Sequence, residues 1–381
     1  MGEEKITFDN LKLNEKLLRG IYSYGFEEPS HIQSLSIPII NNKKDLVAQA
    51  QSGTGKTGAY TIGCLNNINK EERTIQLLII LPTRELVFQV FDVFQDLSKY
   101  MELSIIKVIG GTNVSECKSD LRKDPHIVIG TPGRILDMII QKCLYTDKIK
   151  MVVLDEADEI LSTGFSESLY NIIKSVPVKS NILLFSATMP EEILTLTNKI
   201  LNKPEKILIN KEELTLEGIK QFYINIKFND WKLEVIKDLY DTINILQCII
   251  YFNSKNKLND IYHKLINDNY PVSYIHGDLT SVERKKTMDD FKNGKSRILL
   301  STDLLSRGID IQQLSLVINF DLPVSKEIYI HRIGRSGRYG RKGVSINLIT
   351  ERDIDYMSEI SQFYDTKIVE MPNNISDFLS I

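Results

Sequence analysis

The sequence predicts an α/β protein of two tandem domains, each a parallel sheet flanked by helices. Short apolar runs rich in Val and Ile alternate with longer amphipathic stretches along the whole chain, the pattern of strand-helix units. At 381 residues the chain also exceeds what one hydrophobic core commonly serves. A third observation is a Gly-rich segment ending in Lys-Thr near residue 50, followed about a hundred residues later by an acidic run placed directly after an apolar stretch.

Taken in order, the first half offers strands at 46–50, 77–81, 127–129, 151–154 and 182–185, each running into a polar or glycine-bearing loop. Sheets of this kind place ligands beyond the carboxyl ends of their strands, so motifs in those loops converge on one edge. Past Asn202-Lys203-Pro204 the periodicity weakens into Lys211-Glu212-Glu213. A linker is therefore expected over 206–222, dividing a first domain, 1–205, from a second, 223–381. The second domain offers strands at 248–252, 272–275, 297–301, 316–320 and 343–348, with a helix over 282–291 among them. It carries no phosphate loop of its own, and the chain shows no short repeat or low-complexity tail.

The chemistry starts at Ala50-Gln51-Ser52-Gly53-Thr54-Gly55-Lys56-Thr57, which lies between the apolar run 46–48 and a helix-compatible stretch over 58–65. Backbone N–H groups at such a helix N-terminus curl around phosphate oxygens. Lys56 would reach the β- and γ-phosphates of a nucleoside triphosphate. Thr57 would place its hydroxyl on Mg²⁺, and Asp155, at the end of strand 151–154, would hold the same ion from the other side. Glu156 is the natural base for the attacking water, within Asp155-Glu156-Ala157-Asp158. Gly53, Gly55 and Gly58 also satisfy a dinucleotide-binding pattern, but the acidic residue that pattern requires near position 80 is absent, the stretch being Leu77-Leu78-Ile79-Ile80-Leu81. Ala50 stands where the phosphate-loop pattern has its first glycine.

In the second half, His331-Arg332-Ile333-Gly334-Arg335-Ser336-Gly337-Arg338 sets three arginines and two glycines in one short segment. A phosphate-loop domain without an arginine partner of its own needs its transition-state charge neutralised, and Arg335 and Arg338 can supply that. Hydrolysis would then require the two domains to close.

Composition limits the alternatives. With 42% hydrophobic and 25% charged residues, no long apolar run and no N-terminal signal pattern, the chain is expected in the cytosol, or the nucleus. A net charge of −3 argues against binding nucleic acid through a general basic field, so any such binding needs a local track. The four cysteines form no C-x-x-C pair, and the five histidines show no metal-ligand spacing, which leaves magnesium as the metal with a sequence warrant.

With both motif sets in hand, the chain resembles the DEAD-box RNA helicases of superfamily 2 from about Phe8 to the C-terminus, which implies tandem RecA-like domains. Phe8, Gly25-Phe26, Pro29 and Gln33 match the Q motif, implying that Gln33 recognises adenine, that the upstream aromatic Phe8 stacks on it, and that ATP is preferred over GTP. Pro82-Thr83-Arg84-Glu85-Leu86, Gly110-Gly111 and Thr131-Pro132-Gly133-Arg134 match segments that grip an RNA backbone. The resemblance implies that Ser186-Ala187-Thr188, with Asp158 and His331, couples nucleotide to RNA. In the second half Phe252-Asn253-Ser254, His276-Gly277-Asp278 and Ser301-Thr302-Asp303 correspond to RNA-contacting segments. Arg307-Gly308-Ile309-Asp310 resembles motif V, which adds Gly308 and Asp310 to the nucleotide site, and His331 to Arg338 is motif VI. The segments 213–222 and 329–343 resemble the initiation factor 4A subfamily most narrowly.

Departures from the family pattern are His31 and Ser34 beside the Q-motif glutamine, Val87-Phe88 after the Pro-Thr-Arg-Glu-Leu segment, and Ser281 in place of a glutamine, with Arg284 retained. The resemblance implies an RNA-dependent ATPase that unwinds short duplexes without reading sequence, plausibly in translation initiation. Its implied partners are single-stranded RNA, short duplexes and a scaffold of the initiation factor 4G type, with the chain itself monomeric. The alternative is an ATP-gated RNA clamp of the exon-junction type whose turnover partners hold idle.

Overall fold

In the computed structural model the chain forms two compact units, Met1–Ile209 and Asn210–Ile381. The structure describes residues 6–50, 53–162, 164–208, 219–242, 247–303, 314–336 and 343–372, with the side chain of Ser281 excepted.

The first unit is built on seven strands: β1 (Leu46–Gln49), β2 (Leu77–Ile80), β3 (Ile105–Val108), β4 (Ile127–Gly130), β5 (Met151–Leu154), β6 (Asn181–Ser186) and β7 (Glu205–Ile207). They lie in the order β3-β4-β2-β5-β6-β1-β7 and every pairing is parallel. Helices cross over between them, as parallel neighbours require. Alternate residues of one strand enter opposite layers. Leu46, Ala48, Leu77, Ile79 and Val153 pack into one apolar layer, while Val47, Leu78, Ile80, Val152 and Leu154 pack into the other. Both faces being covered is why these strands read as unbroken apolar runs.

The second unit repeats the plan with β8 (Ile219–Asn225), β9 (Cys248–Tyr251), β10 (Val272–Ile275), β11 (Ile298–Ser301), β12 (Leu316–Asn319), β13 (Gly343–Ile349) and β14 (Ile368–Glu370). Their order is β10-β11-β9-β12-β13-β8-β14, again all parallel. Cys248, Ile250, Leu300 and Ile318 face one layer, and Ile249, Leu299 and Val317 the other. The tandem parallel architecture expected from the sequence is the one found.

Four strands escape the sequence pattern, and their position explains it. β3, β7 and β14 are sheet edges and β8 lies beside β14, so their residues are only partly buried: Glu205 and Lys206 of β7 are both exposed. The expected linker over 206–222 is corrected at both ends. β7 pairs with β1, and β8 pairs with β13 from Ile219 onward, so 206–207 and 219–222 are sheet. Residues 209–218 of that linker lie outside the described residues. Two helices start earlier than expected. One runs Lys56–Leu65 from an N-cap at Gly55, and the other runs Ser281–Lys292, where the Thr280 hydroxyl accepts from the Glu283 N–H and Glu283 returns a bond to Thr280.

Candidate functional site

In the first unit the loops that follow β1, β5 and β6 gather at the carboxyl edge of the sheet, and β6 lies between β1 and β5. The loop after β1 turns through Gly53 and Gly55 at φ 85° and 100°, a left-handed region that glycine enters without strain. Lys56 then opens the helix. It is 5% exposed, and its Nζ has no hydrogen-bond partner among the described residues. A buried ammonium without a partner is costly, so this position favours an anion.

Asp155 follows β5 and is wholly buried. Its Oδ1 accepts the N–H of Glu156 at 2.9 Å, and its Oδ2 accepts the Tyr60 hydroxyl at 2.9 Å. Burial pushes its carboxyl up to about 6, opposed by the charge of Lys56 and reinforced by that of Glu156. Glu156 is buried at φ 49°, a conformation that costs a non-glycine residue roughly 1 to 2 kcal/mol. The strain persists because the same turn aims its N–H at Asp155. One step further, the Thr188 hydroxyl beyond β6 donates to Asp158 Oδ2 at 2.7 Å, so two of the expected coupling residues meet. Ser186 does not join them: its Oγ is buried with no hydrogen-bond partner among the described residues.

Gln33 is 4% exposed and braces the phosphate loop. Its Nε2 donates to the Gly55 carbonyl at 3.2 Å while its Oε1 accepts the Ser30 N–H at 2.9 Å. The fit is close, since a Cβ on Gly55 of the loop or Gly58 of the following helix would fall 2.8 or 2.6 Å from Gln33 Nε2 and push that amide away. Gln33→Ala is expected to weaken ATP binding by about 1 to 3 kcal/mol in a competition assay, and an equal loss for GTP would assign the amide to the loop alone. A loss confined to ATP would assign it to the adenine base.

Phe8 is corrected. It is 0% exposed and stacks on Phe26 at 6.3 Å, so it offers no face to a base. The ring edge-on to Phe8 at 6.4 Å is Tyr22, which is 43% exposed, and its hydroxyl donates to Asp9 at 2.5 Å.

The expected RNA-backbone residues follow β2, β3 and β4, the other half of the same edge. Thr83 caps the helix Arg84–Leu97, accepting the Leu86 N–H, and Pro82 precedes it. The Arg84 guanidinium lies over Gly111, where φ is 77° and an added Cβ would sit 2.2 Å from Nη1. Arg134, from the helix Pro132–Ile140 that Thr131 precedes, donates to the Thr112 carbonyl at 3.3 Å. Two arginines therefore converge on residues 110–112.

In the second unit, Asn253, Gly277 and Thr302 follow β9, β10 and β11. Asn253 is held by Arg332, which sequence reasoning left without a role. Arg332 is 0% exposed in the helix Lys326–Ile333 and spends its whole fork: Nε on Asp303 at 2.6 Å, Nη1 on the Asn319 side chain at 3.2 Å and the Asp321 carbonyl at 2.7 Å, Nη2 on Asn253 at 2.7 Å. One guanidinium thus ties together the ends of three adjacent strands, β11, β9 and β12. From Asn319 the bonds continue to Asn347, whose Oδ1 accepts the Asn319 amide and whose Nδ2 donates to the Phe222 carbonyl and to the Tyr329 hydroxyl, which in turn donates to Gln221. The available signal for Arg332 was an arginine between His331 and Ile333, directly after the apolar run Ile328-Tyr329-Ile330. His331 is buried, and Arg335, also buried, donates from Nε to the His331 carbonyl at 3.2 Å. Gln51, Ser52, Gly308, Asp310 and Arg338 lie outside the described residues.

The residues present fit a magnesium nucleotide: an ammonium without a partner, a glycine cradle that a Cβ would fill, and a buried carboxylate beside Thr57. No helix among the described residues is long and apolar enough to cross a membrane.

Comparison with known proteins agrees with this geometry. Residues 30–196 match the DEAD/DEAH box helicase family and residues 231–340 the helicase conserved C-terminal domain. The chain is 51% identical over 368 residues to a Candida albicans protein described as ATP-dependent RNA helicase eIF4A, covering 97% of this chain and 93% of that one. It is 48% identical over 373 residues to Eukaryotic initiation factor 4A of Caenorhabditis elegans, covering 98% and 93%. Among solved structures, S. cerevisiae Dbp5 bound to RNA and ADP BeF3 superposes with a TM-score of 0.90 at 33% identity, covering 97% of each chain. Mss116p bound to ssRNA and AMP-PNP gives 0.88 at 26% identity, covering 97% and 81%.

Proposed function

The chain belongs to the DEAD-box family of ATP-dependent RNA helicases, and we propose that it is an RNA-stimulated ATPase that opens short RNA duplexes locally during translation initiation. The observation that carries the catalytic part is the buried, unpartnered Lys56 ammonium at a helix N-terminus on the same sheet edge as Asp155 and Glu156. The initiation role is supported by the likeness to proteins described as initiation factor 4A.

In this reading the loop from Gly53 to Thr57 cradles the phosphates, and Lys56 pairs with their charge. Thr57 and Asp155 would hold a divalent cation, which screens the charge of the β- and γ-phosphates when bound. Glu156 accepts the proton of the attacking water, and Arg335 meets charge on the transferred phosphoryl group. Arg84 and Arg134, with neighbouring backbone amides, contact phosphates and sugars without reading bases, which lets a chain of net charge −3 bind RNA independently of sequence. Asn253, Gly277 and Thr302 serve the same strand from the second unit. Thr188 on Asp158 passes the state of the nucleotide site toward the RNA side. A scaffold of the initiation factor 4G type and a cytoplasmic setting complete the proposal.

Phosphate release by the purified chain, with and without single-stranded RNA, tests it. Turnover should be slow alone and rise at least tenfold with RNAs of unrelated sequence, and a short blunt duplex should be separated only when ATP is present. Turnover indifferent to RNA would refute the proposal.

A further inference from the structure

We propose that Tyr60 is a positioning residue for the magnesium site: its hydroxyl holds Asp155 in the orientation that receives the cation and so sets the concentration of Mg²⁺ at which nucleotide binds. The inference rests on the nucleotide reading given above.

Tyr60 lies one helical turn after Lys56 in the helix Lys56–Leu65, so both side chains leave the same face. Its ring is fully buried between Phe94, at 6.3 Å, and Phe185 of β6, at 5.3 Å. Clamped on both sides, the ring cannot swing, and the position of its oxygen is set by the core. That oxygen donates to Asp155 Oδ2 at 2.9 Å and also interacts with the Thr57 hydroxyl. The phenol therefore stands between the two residues assigned to the cation. On its other oxygen, Asp155 accepts the Glu156 N–H at 2.9 Å. Each carboxylate oxygen is thus tied once to the protein and keeps lone-pair capacity for a further bond. The rotamer is fixed before a cation arrives.

A phenyl ring would fill the same space in the core without directing the carboxylate, so the oxygen is the part that packing alone does not explain. Partners of this kind commonly change metal affinity by about 10- to 100-fold when removed.

Tyr60→Phe deletes that one oxygen and keeps the ring. A fluorescent ATP analogue is titrated into the full-length protein at a series of Mg²⁺ concentrations, and again in EDTA, with thermal unfolding measured in parallel. The Mg²⁺ concentration for half-maximal binding should rise about tenfold in Tyr60→Phe, with binding in EDTA unchanged. An unchanged midpoint, even with a lowered unfolding temperature, would overturn the inference and leave Tyr60 as core packing. Wild-type binding that ignores Mg²⁺ would overturn the reading of the nucleotide site and this inference together. A Mg²⁺-dependent wild type with an unaltered Tyr60→Phe midpoint would overturn the inference alone.

Discussion

Replacing Glu156 with glutamine should lower steady-state ATP turnover by about 10²- to 10⁴-fold, the usual contribution of a positioned general base, while nucleotide and RNA binding stay near the wild-type level. The substitution keeps the shape of a buried side chain. It also keeps the backbone N–H that donates to Asp155 Oδ1, so the left-handed turn at φ 49° has the same reason to form. Lys56, Asp155 and the glycine cradle are untouched. What disappears is the group proposed to accept the proton of the attacking water. A complex with bound ATP and RNA should therefore accumulate, visible as slow release of a labelled RNA. Turnover within twofold of wild type would remove Glu156 from the mechanism.

Arg332→Ala should destabilise the second unit by about 3 to 5 kcal/mol, the typical cost of removing one member of a buried ionic cluster. The guanidinium holds Asp303, Asn319, Asp321 and Asn253 at once, and its loss strands acceptors at the ends of three neighbouring strands. Trp231, the single tryptophan of the chain, ends the 3-10 turn Asn229–Trp231 just before the helix Lys232–Thr242 and reports on the second unit in a urea titration. Lys232 beside it donates to the Phe320 carbonyl, on the same loop that Arg332 holds through Asp321. Arg332→Lys keeps the charge but not the planar fork, and should fall between wild type and alanine. A shift below about 1 kcal/mol for alanine, the scale of an exposed ion pair, would mean that the cluster relaxes around the gap.

The central strands were legible because burial on both faces leaves a local mark, an unbroken apolar run such as Leu77-Leu78-Ile79-Ile80. β3, β7, β8 and β14 lie at or next to sheet edges and leave no such mark, which is why the expected linker absorbed part of β7 and the start of β8. Phe8 shows a different limit. Its residue type suits a base-stacking role, but type does not reveal that Phe26 and Tyr22 already enclose it.

The sequence by itself determined the tandem parallel sheets and set out the glycine-rich run at 50–57, the acidic run at 155–158 and the order of the segments proposed to face RNA, because each is written in neighbouring residues or in a period of a few residues. Only the tertiary structure decided the partners of those segments. Tyr60 meets Asp155 across 95 residues and Arg332 meets Asn253 across 79. Each pair forms because parallel crossovers return distant strands to one edge, and a hydrogen bond made there depends on the register of the sheet, which no short window of the chain contains.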